Sequence, residues 1–407
     1  MTRRTHKTHQ TRTGIRQTSA KGAAWATRAA DAVAGFTSTR SKGPEAMFKG
    51  PGGPTHMVRA AGCRVETADG RKLTDWTMAL GAVSLGYGNP RVTRAAVRAA
   101  RDGAVGPLAP TLEVRVAERL AAAYPGAKQA RFFKSGAEAV ACAVRLARVA
   151  TGRESVVHCG YHGWLDGPTS GAGVASGASA LWHAVPFDDI AALETAVREV
   201  RPAAIVLEPV VERAPLIAWL RAARSAADAS GAALIFDEVK TAFRLARGGA
   251  AERWGVRPDL AVIGKALANG FPLAAVVGRA DLMARVRETW VSSTLSTELV
   301  ALAAADAVLD VWERQDVAGH ITRIGSRIMA ALDQALEGGE ARLLGLPEMW
   351  FLRFADSDIE RRFLLGCVEQ GVLLKRGAYN FPSLAHTERD VKRTMAAVTT
   401  SMKAALA

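Results

Sequence analysis

The chain reads LIFDEV at residues 234–239 and PDLAVIGK at residues 258–265. Each stretch is a short apolar run of the kind that forms a buried strand. The first delivers a carboxylate, Asp237, and the second ends in an amine, Lys265. Burying a charged group is costly unless it has a partner or a ligand. The two stretches therefore predict a functional site at the ends of two buried strands.

Strand and helix patterns alternate through the middle of the chain. Continuous apolar strands that alternate with helices are typical of an α/β fold with a mostly parallel sheet covered on both faces. A hairpin over residues 63–76 precedes this region, a long Ala-rich helical stretch is predicted over 295–335, and the last 70 residues suggest an α+β closing domain. The predicted strands lie near 130–133, 155–158, 203–207, 233–236 and 260–263, and the predicted helices cover 91–102, 111–123, 137–150 and 216–229.

Composition describes an ordinary globular protein of 407 residues with a net charge of +14. No apolar stretch approaches the roughly 18–20 residues that span a bilayer, and the N-terminus has no apolar signal-peptide core. We therefore predict a soluble, cytoplasmic protein without a membrane partner.

The basic charge is concentrated at the N-terminus. Residues 1–42 contain nine Lys or Arg and one acid, Asp31, so the leader carries +8 and the other 365 residues carry +6. We interpret the leader as a basic, largely disordered tail, with an organellar transit peptide as the alternative because such peptides are also Arg-rich and acid-poor. Since the rest of the chain is only mildly basic, we predict no nucleic-acid partner.

A strand-to-helix junction at residues 133–138 is a candidate phosphate site. Ser135 is placed to cap the helix, and Gly136 lets the backbone approach a ligand closely. Helix N-termini bind phosphate through free N–H groups and the helix dipole. The alternative is that Ser135 and Gly136 form a simple helix cap.

Two further strands end in residues that can contact a ligand. Tyr161 and His162 follow the strand near 155–158, and Glu208 ends the strand near 203–207. Ligands of parallel α/β sheets sit at this carboxyl edge, where Tyr161 could stack on a planar ring or instead fill the core. His162 lacks the partner spacing of a metal ligand, so we predict no metal site.

Asp237 and Lys265 together match the needs of pyridoxal phosphate. A carboxylate against a heteroaromatic nitrogen keeps that nitrogen protonated, and a desolvated lysine can form a Schiff base. Lys240 is the rival amine, but it lies beyond its strand and lacks the buried approach of Lys265. Only 12 of the 53 basic residues are Lys, which favours a special role for Lys265 where Arg is otherwise preferred.

Taken together, these segments resemble the class III (ω-type) aminotransferases of fold type I, in the branch of glutamate-1-semialdehyde aminomutase. The resemblance runs from about residue 41 to 400 and depends on the ordered set Ser-Gly-x-Glu-Ala, Tyr-His-Gly, Glu-Pro, Asp-Glu-Val and Gly-Lys. It implies a large domain that binds pyridoxal phosphate, over residues 89–296. A smaller α+β domain would be built from both termini, over 43–88 and, after a linking helix, within 297–407.

The resemblance also implies roles for individual residues. Lys265 would bind the cofactor and carry protons, Asp237 would pair with the pyridine nitrogen, and Tyr161 would stack on the ring whose other face Val239 covers. Thr294 would reach the phosphate in a neighbouring subunit, which implies a homodimer with shared active sites. Arg244 matches the motif after Asp-Glu-Val. The remaining candidate cofactor residues are Ser135, Gly136, Ala137, His162 and Glu208.

Three positions depart from the family pattern. Ala137 stands where Thr is common, Arg213 where the aminomutase has Asn, and Ala46 where it keeps the Arg that binds the substrate carboxylate. Without that Arg, we expect an aminotransferase that moves an amino group from a donor amine or amino acid to a polar ketone or aldehyde, such as an oxo-sugar or aminocyclitol. The alternative is an intramolecular aminomutase or epimerase.

Overall fold

The computed structural model describes residues 20–336 and 339–407, which form one large α/β domain and one smaller α+β domain. The strands are β1 (Met57–Ala61), β2 (Arg64–Thr67), β3 (Lys72–Asp75), β4 (Gln129–Phe133), β5 (Val156–Cys159), β6 (Trp182–Ala184), β7 (Ala204–Leu207), β8 (Ala233–Asp237), β9 (Leu260–Ile263), β10 (Ala274–Gly278), β11 (Ala341–Leu346), β12 (Met349–Phe354) and β13 (Val372–Leu373). The helices are α1 (Ala20–Ala32), α2 (Pro44–Phe48), α3 (Met78–Gly81), α4 (Pro90–Arg101), α5 (Thr111–Ala123), α6 (Gly136–Thr151), α7 (Ser176–Ser179), α8 (Ile190–Val200), α9 (Ile217–Ser230), α10 (Gly249–Trp254), α11 (Ala280–Met283), α12 (Leu299–Arg314), α13 (Val317–Ala335), α14 (Ser357–Glu369) and α15 (Glu388–Leu406).

The large domain is organised by a seven-stranded sheet in the order β4-β10-β9-β8-β7-β5-β6. The pairs from β9 to β6 are parallel, and β10 runs antiparallel to both of its neighbours. Strand β8 is buried on both faces, because Leu234 and Phe236 pack in one apolar cluster while Ile235 packs in another. The prediction of a mostly parallel sheet with covered faces is confirmed.

Two strands of this sheet were absent from the prediction. The apolar run at 273–277 gives β10, and the three-residue β6 extends the sheet beyond β5. The predicted helical stretch at 295–335 is also two helices rather than one. Helix α12 ends at Arg314, and Asp316 begins α13 by accepting a hydrogen bond from the N–H of Gly319 at 2.8 Å.

The small domain is built from both ends of the chain, as predicted. Strands β1, β2 and β3 form an antiparallel sheet that includes the predicted hairpin, and β13 from the C-terminal part pairs with β3 in parallel. One apolar core joins Phe48 and Trp76 to Trp350 and Phe363. A second apolar cluster joins Met78 and Phe381 of the small domain to Val210 and Leu245 of the large domain, so the two domains share a packed boundary.

The leader is only partly described. Residues 1–19, where the prediction of disorder is concentrated, lie outside the described residues. From Ala20 the chain is helical, and Trp25 of α1 lies against His56 with ring centroids 6.2 Å apart. This differs from a leader that is largely disordered to residue 42, because Trp25 has a ring partner. In the described part of the chain, no helix is long and apolar enough to cross a membrane.

Candidate active site

Four neighbouring strands end at one edge of the large sheet. Strands β5, β7, β8 and β9 are parallel, so their carboxyl ends meet there. A cavity of about 420 Å³ opens at this edge. It brings together most of the predicted site residues, namely Ser135, Gly136, Ala137, Tyr161, His162, Glu208, Asp237, Val239 and Lys265.

Asp237 is a buried acid that is fixed on both of its oxygens. Its Oδ2 lies 2.9 Å from Nδ1 of His162, and its Oδ1 accepts a hydrogen bond from the N–H of Val239 at 3.2 Å. Nε2 of the same histidine lies 3.1 Å from the carbonyl oxygen of Cys159, so the imidazole ring is held at both nitrogens. His162 therefore orients the acid, and the packing of β5 beside β7 and β8 holds both side chains in place.

The neighbouring acid, Glu238, does not line the cavity and instead stabilises the fold. It is buried, and its carboxylate accepts the N–H groups of Ala250 and Ala251, each at 2.8 Å, at the start of α10. The hydroxyl of Thr241 also donates to it. Burial raises the pKa of Glu238 to about 7, although these donors act in the opposite direction. Adjacent acids at the end of β8 thus serve two different purposes.

The two candidate lysines differ in their surroundings. Burial, followed by the nearby Lys240 ammonium, lowers the pKa of Lys265 to about 8. Lys240 instead forms an ion pair with Glu208 at 2.8 Å, and this carboxylate raises its pKa although burial alone would lower it. An uncharged amine is the nucleophile that attacks a carbonyl. The surroundings therefore favour Lys265 over Lys240 as the reactive amine.

Lys265 also has a strained backbone. Its φ of +46° lies in the left-handed region, which costs a non-glycine residue on the order of 1–3 kcal/mol and is concentrated at functional sites. It begins a 3-10 turn, Lys265–Ala268, directly after β9. The buried apolar residues of β9 and of this turn hold the lysine at the sheet edge.

The start of α6 has the local structure of a phosphate site. Ser135 and Glu138 form a reciprocal capping box, so the predicted cap is present. The N–H groups of Gly136 and Ala137 are in the first helical turn, where no intrahelical acceptor exists. A Cβ on Gly136 would lie 2.9 Å from Val239, and one on Gly163 would lie 2.5 Å from Cβ of Ala137. Close backbone packing and free N–H groups together suit a phosphate.

The aromatic residues after β5 are not core filler in the single chain. Tyr161 is 65% exposed and Trp164 is 76% exposed, and both line the cavity. An exposed aromatic face beside a buried acid and a reactive amine can receive a planar ring. Together with the start of α6, these residues line a cavity whose chemical groups fit pyridoxal phosphate.

Several predicted residues lie outside the cavity lining. Thr294 is exposed on a 3-10 turn, and the carbonyl oxygen of Ala46 in α2 accepts a hydrogen bond from Lys375. Arg213, half exposed, pairs with Asp188 and lies over the ring of Phe187 at 5.0 Å.

Arg244 is buried and has a structural task. Its guanidinium donates to the carbonyl oxygen of Gly81 at 2.6 Å and lies 4.4 Å from the centroid of the Phe381 ring. Burial lowers its pKa to about 10. Arg244 therefore connects the motif after β8 to α3, a strained turn in which Ala79 and Leu80 have positive φ.

Sequence reasoning missed part of the cavity lining. The apolar turn Gly270-Phe271-Pro272-Leu273 before β10 was not considered, although a Gly and a Pro so close to Lys265 are a turn signal. Lys240 was named only as a rival amine. The remaining unpredicted lining residues are Ala82, Lys134, Gly163 and Trp164.

The fold and the site define a fold type I transferase that uses pyridoxal phosphate. The family model described as aminotransferase class III matches residues 51–402, so the chain belongs to the class III aminotransferases, a family of enzymes dependent on this cofactor. The predicted family, enzyme class and cofactor are confirmed.

Individual relatives agree with this assignment. The glutamate-1-semialdehyde 2,1-aminomutase of Sorangium cellulosum is 35% identical over 406 residues, covering 87% of this chain and 90% of the relative. The protein of the same name from Rhodopirellula baltica is 32% identical over 402 residues, covering 88% and 92%. A solved structure of the FumI protein of Sphingopyxis sp. MTA144, in a form that carries PLP, has a TM-score of 0.90 at 26% identity and covers 95% of this chain and 96% of that one.

Proposed function

We propose that Lys265 is the lysine that binds the cofactor covalently and that it also carries protons during the reaction. The observation that carries this proposal is that Lys265 lines the cavity with Asp237, while the rival amine Lys240 is held in an ion pair with Glu208. When bound, pyridoxal phosphate supplies an electron sink for the carbon that loses or gains a proton. Lys265, at the end of β9, is the base and acid for that proton.

Asp237 and the α6 turn hold the two polar ends of the cofactor in this proposal. Asp237, oriented by His162, keeps a ring nitrogen protonated. The N–H groups of Gly136 and Ala137, with the Ser135 cap, bind the phosphate. Tyr161 supplies an aromatic face on one side of the ring and Val239 an aliphatic one on the other.

Reduction with borohydride tests the assignment of the lysine. Reduction makes the bond between cofactor and lysine permanent, so peptide mapping by mass spectrometry identifies the modified residue. We expect the label on the peptide that contains Lys265, and we expect Lys265→Ala to lose it. A Lys265→Ala protein that still carries covalent cofactor would refute the assignment.

We further propose that the acceptor is a polar ketone or aldehyde that is not a simple amino-acid aldehyde, such as an oxo-sugar or an aminocyclitol precursor. With Lys265 assigned to the cofactor, the described residues that line the cavity offer no other free cation for a substrate carboxylate. Lys134 is paired with Glu298 at 2.8 Å, Lys240 is paired with Glu208, and none of the lining residues in the described part of the chain is an Arg. A bidentate Arg is the usual carboxylate receptor, and the family resemblance implies that Ala46 stands where the aminomutase keeps one.

The amino donor and the carbonyl acceptor can each be identified by experiment. Purified enzyme is mixed with glutamate, alanine or a diamine, and the visible absorbance of the bound cofactor is followed. We expect the band to fall with a true donor and to return when a suitable carbonyl compound is added. Absence of any change with all donors would count against transamination.

An intramolecular aminomutase or epimerase is the second candidate. It is favoured by one finding, the identity of 32–35% to proteins named glutamate-1-semialdehyde 2,1-aminomutase over most of the chain. Such an enzyme needs no separate donor. Product formed from glutamate-1-semialdehyde without consumption of a donor would favour this candidate over the first.

We also propose a homodimer in which Thr294 contributes to the partner's site. Thr294 is exposed, and its turn leads directly into Glu298, which is paired with Lys134 at the phosphate turn of its own chain. Leu295 is 52% exposed on the same turn, as expected for a surface that a second subunit covers.

A further inference from the structure

The cavity contains a second lysine whose position is fixed by two side chains. Nζ of Lys240 lies 2.8 Å from Oε1 of Glu208 and 4.8 Å from the centroid of the Tyr379 ring. The aromatic ring attracts a cation over its face, and the ion pair is almost fully buried. Because Glu208 follows β7 and Tyr379 belongs to the C-terminal part of the chain, these contacts hold the ammonium between the two domains.

Both fixing groups are themselves anchored. Oε2 of Glu208 accepts the N–H of Tyr161 at 3.0 Å, and a Cβ on Gly160 would lie only 2.6 Å from this side chain. The hydroxyl of Tyr379 accepts the N–H of Glu212 at 2.6 Å. Each carboxylate oxygen of Glu208 is therefore engaged, and the Lys240 ammonium is held in one place.

Lys240 and Lys265 line the same cavity, together with the two acids Glu208 and Asp237. Arg244 donates to the carbonyl oxygen of Gly81 and is not among the residues that line the cavity, whereas Lys240 is one of them. The position after Asp-Glu-Val thus places a positive charge in the cavity that holds Lys265, and a nearby like charge disfavours protonation of an amine.

We propose that Lys240 is a positioning residue whose ammonium, fixed by Glu208 and Tyr379, disfavours protonation of the Lys265 nitrogen and keeps it ready for carbonyl chemistry. This inference depends on the proposed role of Lys265. Lys240 acts through its charge and forms no bond to cofactor or substrate. Glu208 compensates that charge, so the pair sets the balance of charge around Lys265 from a distance.

The test is a pH titration of the holoenzyme followed by visible absorbance, since the colour of the cofactor reports the protonation of the nitrogen that joins it to lysine. Lys240→Met removes the cation and leaves Glu208 unopposed, so the midpoint should rise by about one pH unit. Lys240→Arg keeps the charge and is the matched control, with a midpoint close to that of the unchanged enzyme. A Lys240→Met holoenzyme with an unchanged midpoint would overturn the proposal.

A second variant tests the opposite direction. Glu208→Gln leaves the Lys240 charge without compensation and should lower the midpoint, while the Lys240→Met/Glu208→Gln double variant should return it towards the starting value. A purely structural role would not produce shifts of opposite sign. If Lys240→Met does not fold, an unmoved midpoint in Glu208→Gln is sufficient to reject the proposal.

Peptide mapping after borohydride reduction separates this inference from the one on which it depends. A label on Lys240 would refute the role proposed for Lys265. A label on Lys265, combined with unmoved midpoints in the variants, would refute only the role of Lys240.

Discussion

At the scale of single residues, Asp237 and Glu238 show that two neighbouring buried acids can have different roles, which their hydrogen-bond partners distinguish. Asp237 meets a histidine and the cavity, whereas Glu238 meets the backbone of α10. In the function proposed above the first acts on the cofactor, whereas the second holds the start of α10. Substitutions at the two positions should therefore have different consequences.

Asp237→Asn should preserve the fold and depress turnover. The amide keeps the shape of the side chain but removes the negative charge that stabilises a protonated ring nitrogen, so kcat should fall roughly 10²–10³-fold. Steady-state kinetics with whichever donor lowers the cofactor absorbance measures this, with borohydride labelling of Lys265 to show that the cofactor is still bound.

Glu238→Gln is the matched control for that substitution. Its NH₂ group cannot accept the second backbone N–H of α10, so the free energy of unfolding should drop by about 1–3 kcal/mol. Denaturant unfolding of the two variants measures the difference. A stable Glu238→Gln protein, or an unfolded Asp237→Asn protein, would contradict the division of roles.

Lys265 should give the capture of cofactor a characteristic pH dependence. Its pKa of about 8 is below the ordinary value of 10.5, so half of the amine is uncharged at about pH 8 and the uncharged fraction levels off about one pH unit above that. The rate at which the apoprotein takes up pyridoxal phosphate should follow that curve. An ordinary lysine would continue to gain uncharged amine up to about pH 10.4, so a rate that keeps climbing would contradict the assignment.

Asp237 and Lys265 could be picked out from the sequence because an apolar strand that ends in a charged residue is a local pattern. The partners of Lys240 were not, because Glu208 and Tyr379 come from distant parts of the chain and meet it only in the folded protein. The same holds for Arg213. The charge of Arg213 was visible in the sequence, but the direction in which its side chain points is set by its ion pair with Asp188 on another loop.

At the scale of elements, the loop after β8 is held by α10, a helix of only six residues. Gly249, its first residue, has a φ of +62°, and a Cβ there would lie 2.2 Å from Oε2 of Glu238. Gly255, just after the helix, has a φ of +67° with open space around it. The two glycines share a backbone conformation and differ in packing.

Gly249→Ala should therefore destabilise the protein more than Gly255→Ala does. Both pay the cost of a left-handed residue, about 1–3 kcal/mol, but only Gly249→Ala also displaces the Glu238 carboxylate from the α10 N–H groups. Thermal or denaturant unfolding of both variants gives the comparison. Equal losses would mean that Glu238 is not the anchor of this loop.

Elements were predicted where an apolar run had a clear beginning and end. The cap at Ser135 and the strands β4, β5, β7, β8 and β9 all meet that condition. Strand β6 has only three residues and is formed by pairing with β5, so its own pattern is too short to identify it. Strand β10 has a clear apolar run, but the turn before it was not recognised as the start of a strand.

At the scale of the whole molecule, large apolar side chains are exposed both at the cavity and on the turn that carries Thr294. Tyr161 and Trp164 at the cavity, with Leu295 beside Thr294, are all more than half exposed in the single chain. Exposed apolar groups of this size are typical of a surface that another subunit covers. A twofold dimer would place the same segment of each chain at the other chain's site.

Complementation between two defective chains tests this arrangement. Lys265→Ala removes the amine, and Thr294→Asp places a negative charge where the partner's cofactor phosphate would lie, so each homodimer should bind the cofactor poorly. In a mixed dimer, one site would combine Lys265 of the Thr294→Asp chain with Thr294 of the Lys265→Ala chain, and that site would be intact. Random mixing of equal amounts should therefore restore roughly a quarter of the normal sites, since half of the dimers are mixed and each has one good site of two. Borohydride labelling after unfolding and refolding the chains together counts these sites, with each variant refolded alone as the control. If Thr294 served its own chain instead, mixing would restore no labelling beyond the sum of the two controls, even with a dimer confirmed by light scattering.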